Sequence, residues 1–494
     1  MLWKENGLLR AATDTIFETL IRYVPPAGGA GAGPGRYVPG LARAWRVAAG
    51  GREIRLELEP GVTFHDGRRF TATDVQFSLD SARDPRVPTE YLRRALADIE
   101  VVDKINEREL RIRLVRPSSY VLRALAAVPI LSEHVYAGQI RSVPTATTPI
   151  IGTGPYRLES FADGVVHLTR WAGYWGKAPA IADIELVHDG DAAHALIAAK
   201  RGEIDVVPAM IPGHAPEQAS APGLVTSFRS LALSPPSFRY LVLDAAAPPL
   251  DDPRVRQALA LLVDRKALVR DVHDGLARAI AGPVWPGGPG DGPAPQPPGY
   301  DPALAARLLA EAGWVDGDGD GVRERDGVKL KLALLIVDRK GEDAEAVQVR
   351  REHELIADGF RRSGIAIEVR AGGEGVIDNR LSGGDFDVAF MAWDGEVDWD
   401  LAPLLETAGA ENLGKVSSKR LDRALGALRE AWDPAVRAVL QGELAAAIAE
   451  VTPIVPLSAS EPQGLVHRRV KNAVPWNGWL VLRDLALGAD DATE

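Results

Sequence analysis

The 494-residue chain contains no cysteine, which excludes disulfides, zinc–thiolate sites, iron–sulfur clusters and cysteine nucleophiles together. It also lacks an apolar run of the roughly 18 residues that a membrane-spanning helix requires. Residues 1–17 contain no basic segment followed by a long apolar segment, so as written they are not a signal peptide. We therefore expect either a cytosolic protein or an export signal that lies outside this numbering.

The chain has few basic residues relative to its acids, with 57 Lys and Arg against 68 Asp and Glu and a net charge of −11. Binding to nucleic acid requires a concentrated basic face, so this balance argues against a nucleic-acid partner. Hydrophobic residues make up 46% and charged residues 25%, as in ordinary globular proteins. The length suggests roughly three domains, with a core large enough to be stable without disulfides or metals.

Common enzyme motifs are also missing. There is no GxSxG nucleophile elbow and no HExxH among the nine histidines, and the glycine-rich loop at 25–35 matches neither GxGxxG nor GxxxxGK[ST]. Carboxylates are plentiful, but no spacing singles out a pair for acid–base catalysis. We predict that the protein is not an enzyme and has no cofactor, with a hydrolase as the less favoured alternative.

Residues 316–321, DGDGDG, are similar to the first half of a calcium-binding loop. Asp316, Asp318 and Asp320 stand at positions 1, 3 and 5, and Gly321 stands at position 6. The bidentate Glu expected at position 12 is missing, because Gly327 stands there. We therefore favour a hairpin turn and keep calcium bound by the three aspartates as the alternative.

Hydrophobic periodicity and turn residues predict a mixed α/β chain. Residues 61–80 are typical of a strand–turn–helix corner in which Thr71 caps the helix and Asp74 lies in its first turn. Residues 184–187, 192–200 and 204–207 predict a βαβ unit with parallel strands. Residues 330–392 predict a longer βαβαβ run and hence a second α/β lobe.

The stretch 391–400, MAWDGEVDWD, is the strongest candidate for a binding site. It follows the C-terminal end of a predicted buried strand, where open α/β sheets bind ligands. It contains two tryptophans among four acids: Trp393 and Trp399 with Asp394, Glu396, Asp398 and Asp400. Aromatic faces and carboxylates suit a cationic or amphipathic ligand. The alternative is a solvated acidic loop with both tryptophans packed inward.

Several further motifs occur in order along nearly the whole chain. They are PGLARAW at 39–45, FHDG at 64–67, TATDVQFSL at 71–79, GTGPY at 152–156, YWG at 174–176, GEID at 202–205, VRQA at 255–258, AGW at 312–314 and FDVAFMAW at 386–393. Together they resemble family 5 of the bacterial extracellular solute-binding proteins, the group of peptide- and nickel-binding components of ABC importers.

This resemblance implies an α/β, two-lobed periplasmic-binding-protein fold of type II, in its large three-domain variant, with a hinge and an interlobe ligand cleft. Lobe 1 would contain residues 1–23, 151–241 and 458–494, with residues 24–150 as an inserted domain. Lobe 2 would contain residues 242–457. The strands at 241–244 and 451–457 fall where the crossovers between lobes are expected.

The resemblance also implies capture of a small ligand, a peptide or another amino-bearing or cationic solute, and its delivery to the permease of an ABC importer. In peptide-binding members an aspartate shortly after the matching Trp binds the ligand's amino group. By position that role falls to Glu396 or Asp398. Some oligopeptide binders place an arginine three residues before the Trp; Phe390 stands there in this chain, so that carboxylate partner is lost.

As implied by the same resemblance, we expect a monomer in the periplasm or outside the cell. It would meet the membrane only through the transporter or through a lost anchor. The alternative function is a ligand sensor that presents its closed form to a signalling receptor.

Overall fold

The computed structural model describes residues 7–24, 35–87, 89–138, 149–188, 192–210, 215–233, 235, 237–282, 299–338, 344–394, 400–476 and 478–488.

The first part of the chain forms an antiparallel sheet covered by short helices. Its elements are α1 (Gly7–Ile16), β1 (Ile21–Val24), β2 (Arg36–Pro39), β3 (Ala42–Ala48), a 3₁₀ turn (Ala49–Gly51), β4 (Glu53–Leu58), α2 (Ala72–Arg83), α3 (Glu90–Ala95), β5 (Ile99–Asn106), β6 (Glu109–Leu114), α4 (Val121–Ala127) and α5 (Glu133–Tyr136). The four longer strands pair in the order β3-β4-β6-β5. Leu110, Ile112 and Leu114 alternate along β6 and are buried, as expected for a strand with one wet face.

The predicted corner at 61–80 is confirmed. Thr71 is the N-cap of α2: its hydroxyl oxygen accepts a hydrogen bond from Thr73 N (3.3 Å), and Asp74 Oδ2 accepts one from Thr71 N (2.9 Å). Such a cap is worth about 1 kcal/mol. Asp74 Oδ1 also accepts from Glu133 N (3.0 Å), so the same carboxylate joins α2 to α5.

The FHDG and GTGPY motifs meet in space at His65. Gly152 N donates to His65 Nδ1 (3.3 Å), so His65 Nε2 carries the proton and donates to Gly154 O (3.0 Å). Burial lowers the pKa of His65 and favours this neutral form. A Cβ on Gly152 would lie 2.0 Å from Ile16 O, and one on Gly154 would lie 2.2 Å from Thr15 O. Both positions therefore need glycine, because backbone atoms fill the space.

The middle of the chain adds a three-stranded antiparallel sheet, β7-β8-β9, and the start of a second one. Its elements are β7 (Tyr156–Ala162), β8 (Val165–Arg170), β9 (Asp183–Val187), α6 (Ala192–Lys200), β10 (Val206–Val207), α7 (Ala215–Ala219), α8 (Pro222–Val225) and β11 (Phe228–Ala232).

The predicted parallel βαβ unit at 184–207 is wrong in its pairing. β9 pairs antiparallel with β8, whereas β10 pairs antiparallel with a strand from the C-terminal end of the chain, β20 (Gln463–His467). β20 lies between β10 and β11 and occupies the place that a parallel neighbour would have taken. α6 therefore connects two different sheets.

The third part of the chain builds a six-stranded mixed sheet with helices on both faces. Its elements are β12 (Ser237–Leu243), α9 (Pro253–Leu261), α10 (Arg265–Ala267), a π-helical turn (Leu268–Val272), β13 (Ala277–Ala279), α11 (Pro302–Glu311), β14 (Glu324–Arg325), β15 (Val328–Lys329), β16 (Lys331–Val337), α12 (Ala344–Arg362), β17 (Ala366–Gly372), α13 (Glu374–Gly383), β18 (Val388–Asp394), α14 (Ala402–Leu405), α15 (Lys419–Glu430), α16 (Pro434–Val451) and β19 (Ile454–Ser460).

The strand order of this sheet is β13-β19-β12-β18-β16-β17. β16 is parallel to both β17 and β18, which confirms the predicted βαβαβ run. Two cores cover the sheet, one beneath α9, α11 and α12 and the other beneath α14, α15 and α16.

The chain passes twice between the six-stranded sheet and the sheet β10-β20-β11, first from β11 to β12 and later from β19 to β20. The predicted boundaries at 241 and 457 fall inside β12 and β19. The division of the chain into three domains stays a prediction. The chain finishes with β20, β21 (Val470–Lys471), β22 (Pro475–Trp476), β23 (Trp479–Leu480), a 3₁₀ turn (Leu482–Asp484) and β24 (Ala486–Leu487).

The glycine pair at His65 makes a test of this packing. We expect Gly152→Ala to lower the free energy of unfolding by about 1–3 kcal/mol, because the added methyl group overpacks against the carbonyl of Ile16. The matched control is Gly426→Ala in α15, where nothing lies near the added Cβ and the substitution should stabilise by about 0.5–1 kcal/mol. Urea unfolding followed by circular dichroism measures both; equal stabilities for the two variants would contradict the packing.

Candidate ligand-binding site

One edge of the six-stranded sheet collects the candidate binding residues. β12 begins at this edge, and β18 and β19 end there, because β12 is antiparallel to both of its neighbours. The two crossings to the sheet β10-β20-β11 leave from the same edge. The end of β18 therefore lies at the edge where the six-stranded sheet is connected to the sheet β10-β20-β11.

Trp393 lies at this edge and packs inward. It is opposite Phe238 in the β12–β18 register, and the two rings stack with centroids 6.3 Å apart and an interplanar angle of 26°. Trp393 is partly buried against the core beneath α14 to α16. The exposed part of its ring is the part that a ligand at the edge can contact.

Phe390 points to the opposite face of the sheet, because successive residues of a strand alternate. Its ring centroid lies 4.1 Å from that of His353 in α12, and it packs against the core beneath that helix. The structure therefore separates Phe390 from Trp393.

Asp400 is engaged within the protein. Its Oδ2 lies 3.5 Å from Arg429 Nε, and its Oδ1 accepts a hydrogen bond from Ala402 N (3.1 Å). Burial raises the pKa of Asp400, while the charge of Arg429 acts in the opposite direction. Arg429 also donates to Glu406 Oε1 (2.9 Å). Asp400 thus fixes the end of the acidic stretch to α15.

The remaining predicted residues are not tested by the structure. The backbone of Asp394 pairs with Ser237 at the end of β18. The side chain of Asp394, and the residues Glu396, Asp398 and Trp399, lie outside the described residues. Their role in ligand binding stays a prediction.

A charged cluster that the sequence did not reveal lies on the Phe390 face, close to the same edge. The carboxylate of Glu352 is fully buried and accepts a hydrogen bond from Arg239 Nη1. Its second oxygen lies 3.8 Å from His273 Nε2, which is 3.4 Å from Ser458 Oγ. Burial alone would raise the pKa of Glu352, but the His273 and Arg239 interactions outweigh it and hold that pKa below its usual value.

Arg239 is the member of this cluster that reaches solvent. It is the third residue of β12, and 29% of its side chain is exposed. A guanidinium group carries five N–H donors, and the bond to Glu352 uses one of them. The sequence signal was an arginine inside the apolar strand SFRYLVL, but its partner stands 113 residues away. Arg239 can pair with an anionic group at the sheet edge.

In the predicted calcium loop, backbone N–H groups of the loop donate hydrogen bonds to the carboxylate of Asp316. Oxygens of Asp316 accept from Gly319 N (2.8 Å) and Gly321 N (3.0 Å), and the bridge between Val315 and Glu324 closes the loop.

Carboxylate oxygens of Asp316, Asp318 and Glu324 lie within 4.8 Å of one another. Lys329 forms ion pairs with Asp318 and Asp320 and so competes with a metal ion for two of the predicted ligands. Calcium binding stays a prediction.

An Asp–His–Ser arrangement occurs outside the sheet edge. His134 Nε2 lies 2.7 Å from Asp66 Oδ2, and His134 Nδ1 lies 2.5 Å from Ser132 Oγ. Ser132 is completely buried, so its hydroxyl cannot meet a substrate in this conformation. The arrangement connects the turn of the FHDG motif to α5 and does not favour a hydrolase.

Bodies built on separate sheets, two crossings of the chain between them, and aromatic and charged side chains at the crossing edge are typical of a two-lobed solute-binding protein. The model of the family described as bacterial extracellular solute-binding proteins, family 5 Middle, matches residues 36–414. The chain belongs to this family. This confirms the family that the sequence motifs indicated. It also confirms the two-lobed fold and the function of a solute-binding protein for an ABC importer. Members of the family bind solutes and are not enzymes.

Individual proteins agree with this assignment. Protein XP55 of Streptomyces lividans is 29% identical over 431 residues, covering 83% of this chain and 74% of that protein. The glutathione-binding protein GsiB of Salmonella typhimurium is 29% identical over 471 residues, covering 92% of this chain and 85% of that protein. The structure of HbpA2 from Haemophilus parasuis has the same fold, with a TM-score of 0.83, 21% identity, and coverage of 99% and 97%.

The family is extracellular by its description. In the part of the chain that the structure describes, no helix combines the length and the apolar character needed to cross a membrane.

His353 makes the sheet-edge region sensitive to acid. Burial lowers the pKa of His353 from 6.5 to about 4. The unfolded chain therefore binds more protons than the folded one between these pH values, so stability is present above pH 6.5 and is lost as the pH falls to about 4. We expect His353→Gln to reduce the loss of stability between pH 7 and 4 by up to roughly 3 kcal/mol.

The matched control for this prediction is His188→Gln, because His188 is exposed. It should leave the pH dependence as in the wild type. Urea unfolding at a series of pH values measures the slope, and a slope unchanged by His353→Gln would show that His353 does not titrate in this range.

Proposed function

We propose that the protein captures a small amino-bearing solute, a peptide or a peptide-like molecule, and passes it to the permease of an ABC importer. The observation that carries this proposal is the position of Trp393 at the crossing edge, where the acid-rich stretch 394–400 begins. Closure of the two lobes would bury a ligand against this edge. The glutathione-binding relative supports the ligand class, because glutathione carries both an ammonium group and carboxylates.

The charges near the edge fit a ligand with two ends of opposite sign. Glu396 and Asp398 supply negative charge for an amino group, since Asp400 is already paired with Arg429. Arg239 supplies positive charge on the other face of the same sheet edge. Phe390 stands where some peptide binders have an arginine, and Arg239 on the neighbouring strand can take over that positive charge. Arg239 is opposite Ala392, which lies on the same face of β18 as Phe390.

The finer features of the proposal are the following. The protein works as a monomer in the periplasm or outside the cell, without catalysis and without a resident cofactor. It contacts the membrane through the transporter or through an anchor outside this numbering.

The amino-group site is tested by substitution after the ligand is identified. Native mass spectrometry of freshly purified protein should reveal a co-purified ligand. The variant Glu396→Gln/Asp398→Asn should then raise its Kd roughly 10- to 100-fold, because charge-assisted hydrogen bonds are lost. Isothermal titration calorimetry measures the change.

The matched control is Glu374→Gln/Asp378→Asn, which neutralises two exposed acids on α13 in the same part of the chain. This variant should bind as the wild type does. Equal Kd values for both double variants would reject Glu396 and Asp398 as ligand residues.

Arg239 is tested with a pair of ligands. Removing Arg239 alone would leave Glu352 buried without its partner, so the variant is Arg239→Met/Glu352→Gln. It should weaken binding of a peptide with a free carboxylate about 10-fold or more and leave binding of the corresponding peptide amide unchanged. Equal losses for acid and amide would show that Arg239 does not contact the carboxylate.

A further inference from the structure

A contact between distant parts of the chain lies away from the sheet edge. One side is the segment between β6 and α4, and the other is formed by the end of α15 and the first turn of α16. Ser119 N donates to Arg429 O (2.8 Å), and Arg437 Nη1 donates to Ser119 Oγ (2.5 Å). The Arg437 guanidinium also lies 5.2 Å from the ring centroid of Tyr120. We call the contact of these four residues the interlobe latch.

Two neighbouring contacts extend the latch. Trp432, in the connection between α15 and α16, packs against the core of the four-stranded sheet. It approaches Gly51 so closely that a Cβ there would lie 2.8 Å from Trp432 Nε1. Arg94 in α3 forms an ion pair with Glu411. The body that contains β3 to β6 is thus held against α14 to α16 over several elements.

The chemistry of the latch is that of a contact that can open. Its members are polar or charged, and such groups recover hydrogen bonds to water when the surfaces separate. Beside it, Ser118 Oγ and Trp432 Nε1 are buried without a hydrogen-bond partner in the described residues. Burying these two groups costs free energy, so the net free energy that stabilises the contact is small. Interfaces between domains that move relative to each other have this polar character.

Arg429 connects the latch to the candidate binding site. Its backbone carbonyl accepts the hydrogen bond from Ser119, and its side chain lies 3.5 Å from Asp400 at the end of the acidic stretch. A ligand bound by the acidic stretch would therefore act, through Asp400, on the same residue whose carbonyl accepts the hydrogen bond from Ser119.

We propose that the interlobe latch stabilises the closed form of the protein and thereby raises its affinity for ligand. This inference rests on the lobe closure of the proposed function. Arg437 and Ser119 would act through lobe closure, so they are positioning residues. Loss of one hydrogen bond should change the ratio of closed to open molecules about 2- to 10-fold. The apparent affinity falls with the closed fraction.

The absence of cysteine makes the test direct, because two introduced cysteines are the only sites that a thiol-specific spin label can modify. Glu107→Cys and Glu443→Cys place labels on exposed positions on the two sides of the contact, and neither residue is a member of the latch. Double electron–electron resonance on ligand-free protein then gives the distribution of distances. Ser119→Ala should move population to longer distances, with the ratio of the two populations changed about 2- to 10-fold.

The matched control is Ser160→Ala, an exposed serine on β7, which should leave the distribution unchanged. Arg437→Ala is the stronger variant, but Arg437 also donates to Leu428 O (3.0 Å) and so supports the end of α15. The melting temperature of the Arg437→Ala variant is therefore measured as well. If that variant is unfolded, the result for Ser119→Ala alone decides the test. A distribution identical to the wild type in folded Ser119→Ala protein overturns the proposal. Failure of the wild type to bind any peptide-like ligand overturns the proposed function, and this ligand-free measurement is independent of that result.

Discussion

The arrangement of the whole molecule depends on two neighbouring strands of one sheet, each of which is joined by a short connection to a strand of another sheet. β12 and β19 are neighbours in the six-stranded sheet, and Leu241, Leu243, Val455 and Leu457 are buried there. Each strand leads directly into the sheet β10-β20-β11. Because backbone hydrogen bonds fix β12 and β19 within the six-stranded sheet and β11 and β20 within the other sheet, relative movement of the two sheets is concentrated in the short connections between them. These connections leave the six-stranded sheet at the edge where β18 and β19 end, which is the edge of the candidate ligand-binding site.

The local features of the fold could be predicted from the sequence because their signals are local. The Thr71–Asp74 capping box stands within four residues, and the parallel run from β16 to β18 follows from regular alternation of strands and helices. The predicted βαβ unit failed for the opposite reason. β10 is only two residues long, and its neighbour β20 comes from more than 250 residues further along the chain. No periodicity in a single segment carries information about such a partner.

The candidate site shows the same limit at the level of side chains. The composition of residues 391–400 indicated a binding stretch, and strand alternation explains why Phe390 and Trp393 then diverge to opposite faces. The pairing of Arg239 with Glu352 could not be predicted, because it depends on α12 packing across the sheet. Asp400 looked like one of four equivalent acids, but burial beside Arg429 gives it a structural role. The sequence of the acidic stretch therefore could not show which of its acids form ion pairs within the protein and which are available to a ligand.

The central position of β20 has a consequence for how the chain matures during synthesis. This strand, near the C-terminus, completes a sheet whose other members, β10 and β11, were made more than 230 residues earlier. Arg483 likewise donates to Asp14 O (2.8 Å), joining the last part of the chain to the first helix. The four-stranded and six-stranded sheets can assemble as the chain emerges, but the lobe that begins first is finished last. A polypeptide that ends before β20 would therefore lack the central strand of the sheet β10-β20-β11.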